Sequence, residues 1–523
     1  METTADLEHS DMENDKIENR FNLIDEAWIP VADVGRVSLK EIFSNPELRA
    51  LGGNPVQKVA MTKLLLAMAQ AAATPVDDDE WKQMGWQGLA DKCLRYLEQW
   101  HDRFYLYGEK PFLQMPDIAR AEVKSLGVLS PEISTGNTTV LTQSQRQQES
   151  PDADIAITIV MQMGFGLSGK KTDNSVVLTS GYLGKQNAKG KPASGRGGVS
   201  VGHMGLLHSF WLGESIVQSL WLNLFTLDDL TNLPMYPSLG TAPWEQMPAG
   251  EDDATARALK ESLIGRLVPM GKFCFLAVNG IHYTDGIAHA GYLEGKADPT
   301  TSVDFSHKKP KALWVNPDKR PWRELTSLLQ FIEVGKSSGF DTPQLRLTLR
   351  RIRRKCDRFA LWSGGLRVSS NAGEQYASGT DDYVQSEILF DREILSSLFL
   401  AHLKHEMTQL DGIKNLLWGA VTRYFRQLSD IDKSGSGKAL PFAAKQGDRA
   451  NSLFWQLCER QAQNLIDICE ATPEAAEQRL QLRRIFTNYA LQTFDQLCPN
   501  SSARQMDAWA QTRPNFSKYL KAD

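Results

Sequence analysis

Apolar positions along the chain fall into three textures. Over 56–73 (VQKVAMTKLLLAMAQAAA) they recur at helical spacing among strong helix formers, and Pro75 closes the run, so the pattern predicts a helix. Residues 86–100 predict a second one. Ahead of both, Trp28-Ile29-Pro30-Val31 reads as a short strand. From about 105 to 380 short apolar runs alternate with Gly, Pro, Asn and Ser. Within that stretch Ile155, Ile157, Ile159, Met161 and Met163 occupy alternate positions, the period of a half-buried strand. Residues 208–226 carry an amphipathic helix pattern through Leu220, Trp221, Leu224 and Phe225. From about 385 the pattern is helical to the end. Leu395, Leu398, Phe399 and His402 share one face, and Leu417, Ala420, Val421, Tyr424 and Phe425 share another. Residues 451–468 and 474–496 repeat the pattern, and Asp432 to Lys438 breaks it. The reading is an α+β protein: a disordered acidic tail over 1–20, a large mixed N-terminal domain over 21–380 and a C-terminal four-helix bundle over 381–523.

Composition narrows the class. The 523 residues carry 58 Lys+Arg against 63 Asp+Glu, a net charge of -5, which excludes a globally basic nucleic-acid binder. The tail contributes seven acids, two bases and no aromatic residue. The 6 cysteines form no C-x-x-C pair, so zinc ribbons and dithiol redox sites lack support and reduced thiols are expected. No apolar run approaches the ~20 residues of a spanning helix, and no signal peptide is visible, which points to the cytoplasm and to no membrane partner.

Two constellations suggest enzymes. Gly164-Phe-Gly-Leu-Ser-Gly169-Lys170-Lys171 nearly fits two phosphate motifs, but turn and strand signals follow it where a helix is needed. It is read as a glycine-rich turn. His402-Leu-Lys-His405-Glu406 differs from a metalloprotease helix in both spacing and order, and core histidines are the simpler reading. A nucleotide-binding enzyme and a metal-dependent hydrolase therefore stand as the alternatives. Asp77-Asp-Asp-Glu80 reads as an acidic first turn of a helix.

Basic clusters in an acidic chain point toward a polyanion. Seven bases lie between Arg346 and Arg358 against one acid, with Arg350, Arg351, Arg353 and Arg354 at their centre. Residues 184–205 are rich in Gly and Lys without periodicity, a long loop that offers Lys189 and Lys191. Residues 364–375 (GGLRVSSNAGEQ) read as a hairpin with Ser370, Asn371 and Ala372 at its tip.

These segments, in this order, resemble the large subunit (CasA) of the type I-E CRISPR Cascade surveillance complex. The resemblance runs through Asn22-Leu-Ile-Asp, Trp28-Ile-Pro-Val31, Lys110-Pro-Phe-Leu-Gln114, Ser134-Thr-Gly-Asn137, Ser219-Leu-Trp-Leu-Asn-Leu-Phe-Thr226, Gly291-Tyr-Leu-Glu-Gly-Lys296 and Gly364-Gly-Leu-Arg367. It implies a non-catalytic DNA-binding subunit that recognises the protospacer-adjacent motif (PAM) in double-stranded DNA. It also implies help in strand separation and R-loop formation, crRNA-containing Cascade subunits as partners, and recruitment of a helicase-nuclease in antiviral defence. The family's lysine finger matches Lys296. Its glycine loop matches Ser194, Gly195, Arg196, Gly197 and Gly198, with Arg196 interrupting the glycines. Its wedge matches the 364–375 hairpin, with Asn371 where a Gln is known. Its guide-end contact loop matches Asn137, Thr138, Thr139, Val140 and Leu141. Lys189, Lys191 and the four arginines would hold the DNA backbone non-specifically. Some relatives carry paired cysteines that could hold zinc; this chain has none, so neither metal nor cofactor is expected.

Overall fold

The computed structural model describes residues 19–129, 132–133, 150–166, 171–192, 205–233, 235–333, 339–368, 374–375, 383–392, 395–429, 441–469 and 473–521. The first predicted helix is α1, Pro55–Ala73. Asn54 caps it in a reciprocal box with Gln57, and Pro55 occupies the first turn, where its missing N–H costs nothing. α1 is apolar almost all round and runs through the core. The second helix, α2 (Asp78–Gln99), breaks at Gly85, whose φ is 60°, so the predicted 86–100 helix is its longer part and a short acidic helical turn precedes it. The carboxylate of Asp77 accepts from the amides of Asp79 at 3.0 Å and Glu80 at 2.8 Å, so the acidic run is the cap and first turn of a helix.

The alternation at 155–163 is helical in the structure, which overturns the strand. α3 spans Asp152–Phe165. Ile155, Ile157, Ile159 and Met163 are buried, and so are Ala156 and Val160 between them. A helix buried on nearly every side shows no period of its own, so alternating isoleucines mimic a strand.

The 208–226 segment begins as a strand, β1 (His208–Leu212), before the helix α4 (Ile216–Asn223). Asn223 ties them together: its Nδ2 donates to Trp211 O at 2.6 Å and its Oδ1 accepts from Trp211 N at 3.1 Å. The rings of Trp81 and Trp221 stack at 3.9 Å, and each indole N–H donates to the other residue's carbonyl, at 2.9 and 3.1 Å. That reciprocal pair pins α2 to α4 with both buried indole donors satisfied.

Next come α5 (Pro343–Lys355), β2 (Arg358–Leu366) and β3 (Tyr383–Asp391). The sheet order is β3-β2-β1, antiparallel throughout. Leu366 faces Tyr383, and Gly364 faces His208. A Cβ on Gly364 would lie 2.7 Å from the Trp362 ring and 2.9 Å from Val384 O, so only glycine fits there. The arms of the predicted 364–375 hairpin are corrected accordingly. β2 is paired by a strand beginning at Tyr383, while Glu374–Gln375 pairs in parallel with Glu132–Ile133.

The C-terminal helices are α6 (Ser397–Leu428), α7 (Pro441–Glu459), α8 (Pro473–Leu497) and α9 (Ala503–Thr512). Two of the predicted helices are one: the stripes around Phe399 and Val421 both lie on the 32-residue α6. The predicted segment 451–468 is in turn divided, its second part forming a short helix at Ala462–Asp467. α7, α8 and α9 all pack on α6. The buried carboxylate of Glu406 on α6 receives Arg483 of α8 in a fork at 2.7 and 2.8 Å. The six cysteines are buried free thiols. Among the described residues no single helix is long and apolar enough to cross a membrane.

Candidate nucleic-acid interface

Antiparallel pairing places the start of β1, the end of β2 and the start of β3 at one end of the sheet. The chain therefore enters His208 from the 193–204 segment, leaves Leu366 toward 369–373 and returns at Tyr383, all at that end. Residues following Lys296 join them. Ser209 N donates to Thr300 O at 2.9 Å, His208 bridges Thr301, and His208 Nδ1 lies 2.7 Å from Thr300 Oγ1. Leu206, Tyr292, Ala297 and Val303 form a small apolar cluster of their own, separate from the main core. The last turn before β1 is thus packed directly on the residues flanking Lys296.

Ser194, Gly195, Arg196, Gly197 and Gly198 lie outside the described residues, as do Ser370, Asn371 and Ala372, and Asn137, Thr138, Thr139, Val140 and Leu141. Their anchors are described. Pairing of Glu132 with Glu374 and Ile133 with Gln375 joins the strand leading toward the 137–141 segment to the one just after 370–372. The loop before 194–198 is held by the Nζ of buried Lys185, 2.7 Å from buried Glu251. Beyond that anchor Lys189 and Lys191 are exposed, and their amides donate to Asn187 Oδ1 at 2.9 and 3.2 Å.

Lys296 ends a tight turn. Its amide donates to Gly291 O at 3.0 Å, and Gly295 before it has φ 84°, a left-handed conformation that a side chain disfavours. Its ammonium pairs with Glu261, and the side chain is about a quarter exposed. Two residues later Asp298 pairs with Lys63 of α1, both side chains 1% exposed. Asp298 also accepts from Thr300 N at 3.0 Å and Thr300 Oγ1 at 2.7 Å. Burial pushes the Asp298 carboxyl upward, but the Lys63 ammonium, His208 and these hydrogen bonds outweigh it and hold the group at about 2.

The arginine cluster occupies the other end of the sheet, before Arg358. Arg351 is corrected from surface to core. Its side chain is 2% exposed, lies over the Trp81 ring at 5.7 Å, pairs with Asp229 at 2.7 Å and donates to Leu224 O. Helical spacing carries that signal, because Arg351 shares its face with the buried Gln344 and Thr348. Arg350 and Arg354 are exposed but reach Asp78, at 2.7 and 3.9 Å. Arg353 donates to Arg392 O at 3.2 Å. With Arg346 and Arg392 these three line a cleft of about 670 Å³ floored by Phe331, Ile332, Leu349 and Leu395. Sequence patterning offered no sign that Asp78 would face arginines more than 270 positions away.

The described residues of the two enzyme-like constellations are placed as follows. Glu406 is committed to Arg483, and His402 Nδ1 lies 3.1 Å from Cys469 O. Among the described residues no three His, Cys, Asp or Glu side chains gather as a metal site. Gly164 belongs to α3, so the glycine-rich stretch follows a helix and not a strand, and its residues 167–170 lie outside the described residues.

The architecture, a mixed body of helices and small sheets followed by long packed helices, is that of known CRISPR-associated structures. It matches Thermobifida fusca Cse1 with a TM-score of 0.71 and 19% identity, covering 96% of this chain and 98% of that one. It also matches a chain of a structure described as a CRISPR RNA-guided surveillance complex, with a TM-score of 0.66, 15% identity, and 96% and 99% coverage. At such identities the likeness is one of fold. A family model described as CRISPR-associated protein Cse1 matches residues 22–493, and the chain belongs to that family. It is 26% identical over 336 residues to the CRISPR-associated protein CasA/Cse1 of Thermus thermophilus. That match spans 59% of this chain and 60% of the relative's length.

Proposed function

We propose that this chain is the non-catalytic large subunit of a type I-E crRNA-guided surveillance complex, Cascade, acting in the cytoplasm. It recognises the PAM in double-stranded DNA, helps to separate the strands and form the R-loop, and recruits a helicase-nuclease. The observation that carries this reading is convergence. Lys296 and the anchors of the 194–198 and 370–372 segments meet at one end of a single sheet. The pairing of 132–133 with 374–375 supports a guide-end contact by 137–141 beside the wedge. Family membership agrees with it.

Glycine backbone amides can approach base edges closely, and an ammonium has three donors for minor-groove acceptors. Those acceptors form a degenerate code, so tolerance of several PAM sequences is expected. Arg350, Arg353, Arg354, Lys189 and Lys191 remain candidates for non-specific backbone contact; Arg351 leaves that set because it is buried.

The test is a gel shift of fluorescent duplexes with and without a PAM, using the reconstituted guide complex with and without this chain. PAM-dependent binding should appear only when the chain is added. Lys296→Ala should weaken it by roughly tenfold, the scale of one lost base contact. Equal binding without the chain would overturn the reading.

A further inference from the structure

The partner of Lys296 is built in. Glu261 follows the short helix Ala254–Lys260, and Lys296 ends the turn that starts at Gly291. One buried guanidinium holds both segments: Arg266 Nη2 donates to Lys260 O at 3.3 Å and Nη1 to Ala290 O at 2.9 Å. Each carbonyl belongs to the residue just before an element of the pair, Glu261 on one side and Gly291 on the other. Arg266 is fully buried, so this staple is part of the core. The Lys63–Asp298 pair fixes the chain just beyond Lys296. The carboxylate and the ammonium are therefore presented to each other by two rigid supports.

We propose that Glu261 determines the specificity of Lys296 by screening it from phosphate. The inference rests on the reading of Lys296 as a PAM contact. An ammonium has three donors; one is occupied by Glu261 and two stay available. A neutral acceptor on a base edge can take one of these while the ion pair stays intact. A phosphate meets the Glu261 carboxylate as well and is repelled, an element built against the wrong partner. Lys296 thus reads a base edge and adds little to general affinity. Without Glu261 the same lysine becomes one more phosphate contact, with the counterion release that such contacts bring.

The experiment uses the guide complex reconstituted with the full chain. Affinity for duplexes with and without a PAM is measured across a salt series for the parent, Glu261→Gln, Lys296→Ala and the double variant. Glu261→Gln should tighten PAM-less binding by roughly three- to tenfold at low salt, steepen the log–log salt slope by about 0.9 and reduce PAM discrimination. The double variant should match Lys296→Ala in PAM-less affinity, salt slope and PAM discrimination. An unchanged PAM-less affinity and slope in Glu261→Gln, or a gain that persists without Lys296, overturns the role of Glu261 while Lys296→Ala still impairs PAM binding. If Lys296→Ala leaves PAM-dependent binding intact, the underlying assignment of Lys296 falls instead.

Discussion

The two ends of the β3-β2-β1 sheet handle charge in opposite ways. β2 has nine residues, so its ends lie about 26 Å apart. At the Lys296 end that partly exposed lysine stands on a backbone pinned by a buried ion pair, a buried guanidinium and a left-handed glycine. At the other end Arg350, Arg353, Arg354 and Arg392 line an open cleft, and two of them lean on Asp78. A few charges on a fixed frame suit recognition of position, because their geometry is set before any ligand arrives. Many charges on long side chains suit general attraction, which is strong, adaptable and sensitive to salt.

The largest test of this contrast removes the frame. Lys63→Ala leaves Asp298 buried and uncompensated, which should cost about 3–5 kcal/mol in urea unfolding and abolish PAM discrimination by the folded fraction. A stability within error of the parent would show that the pair does not hold the Lys296 turn.

A second test uses pH. The Asp298 carboxyl is held at about 2 in the folded chain against an ordinary value of 3.8. A group lowered on folding contributes stability above its unfolded value, and the contribution is lost as pH falls through the folded one. The parent should therefore lose roughly 2 kcal/mol more than Asp298→Asn between about pH 4 and 2, read from urea midpoints. Parallel curves for the two proteins would reject that coupling.

The smallest effects lie at the arginine end. Arg353→Ala should lower the salt slope of PAM-less binding by about 0.9 and leave PAM discrimination unchanged. Arg350→Ala and Arg354→Ala should lower it less, because Asp78 already claims part of each charge. If Arg353→Ala changed discrimination and not slope, the assignment of the two ends would be reversed.

How much of this was legible in sequence follows the range of the interactions. α1 was legible because strong helix formers fill 56–73 and Pro75 stops them, while its Asn54 cap emerged only in the structure. The acidic cap at Asp77 was legible locally too, in the acidic run that follows Pro75. The ordered motifs pointed to the family because each is a short contiguous string. α3 was misread because burial on all sides erases the helical period, leaving only its isoleucines to suggest one. Arg351 was placed on the surface because its charge was weighed before its position on the buried face of α5. The pairs Lys296–Glu261, Lys63–Asp298 and Arg350–Asp78 join positions 35, 235 and 272 apart, and no local pattern encodes such partners. The return strand at Tyr383 was hidden by its distance from Leu366, since an earlier turn signal at Asn371 looked sufficient.

β3 and α6 are successive stretches of one chain, and their junction is braced where Phe399 meets the edge of Phe390 at 6.2 Å. With 32 residues α6 is a rod of about 48 Å. Its foot stands on β3 at the arginine end, and β3 runs from there to the Lys296 end. A tilt of about 5° around that foot carries the far tip of the rod roughly 4 Å. Strand and rod run in series from the Lys296 end of the sheet to the far tip of α6.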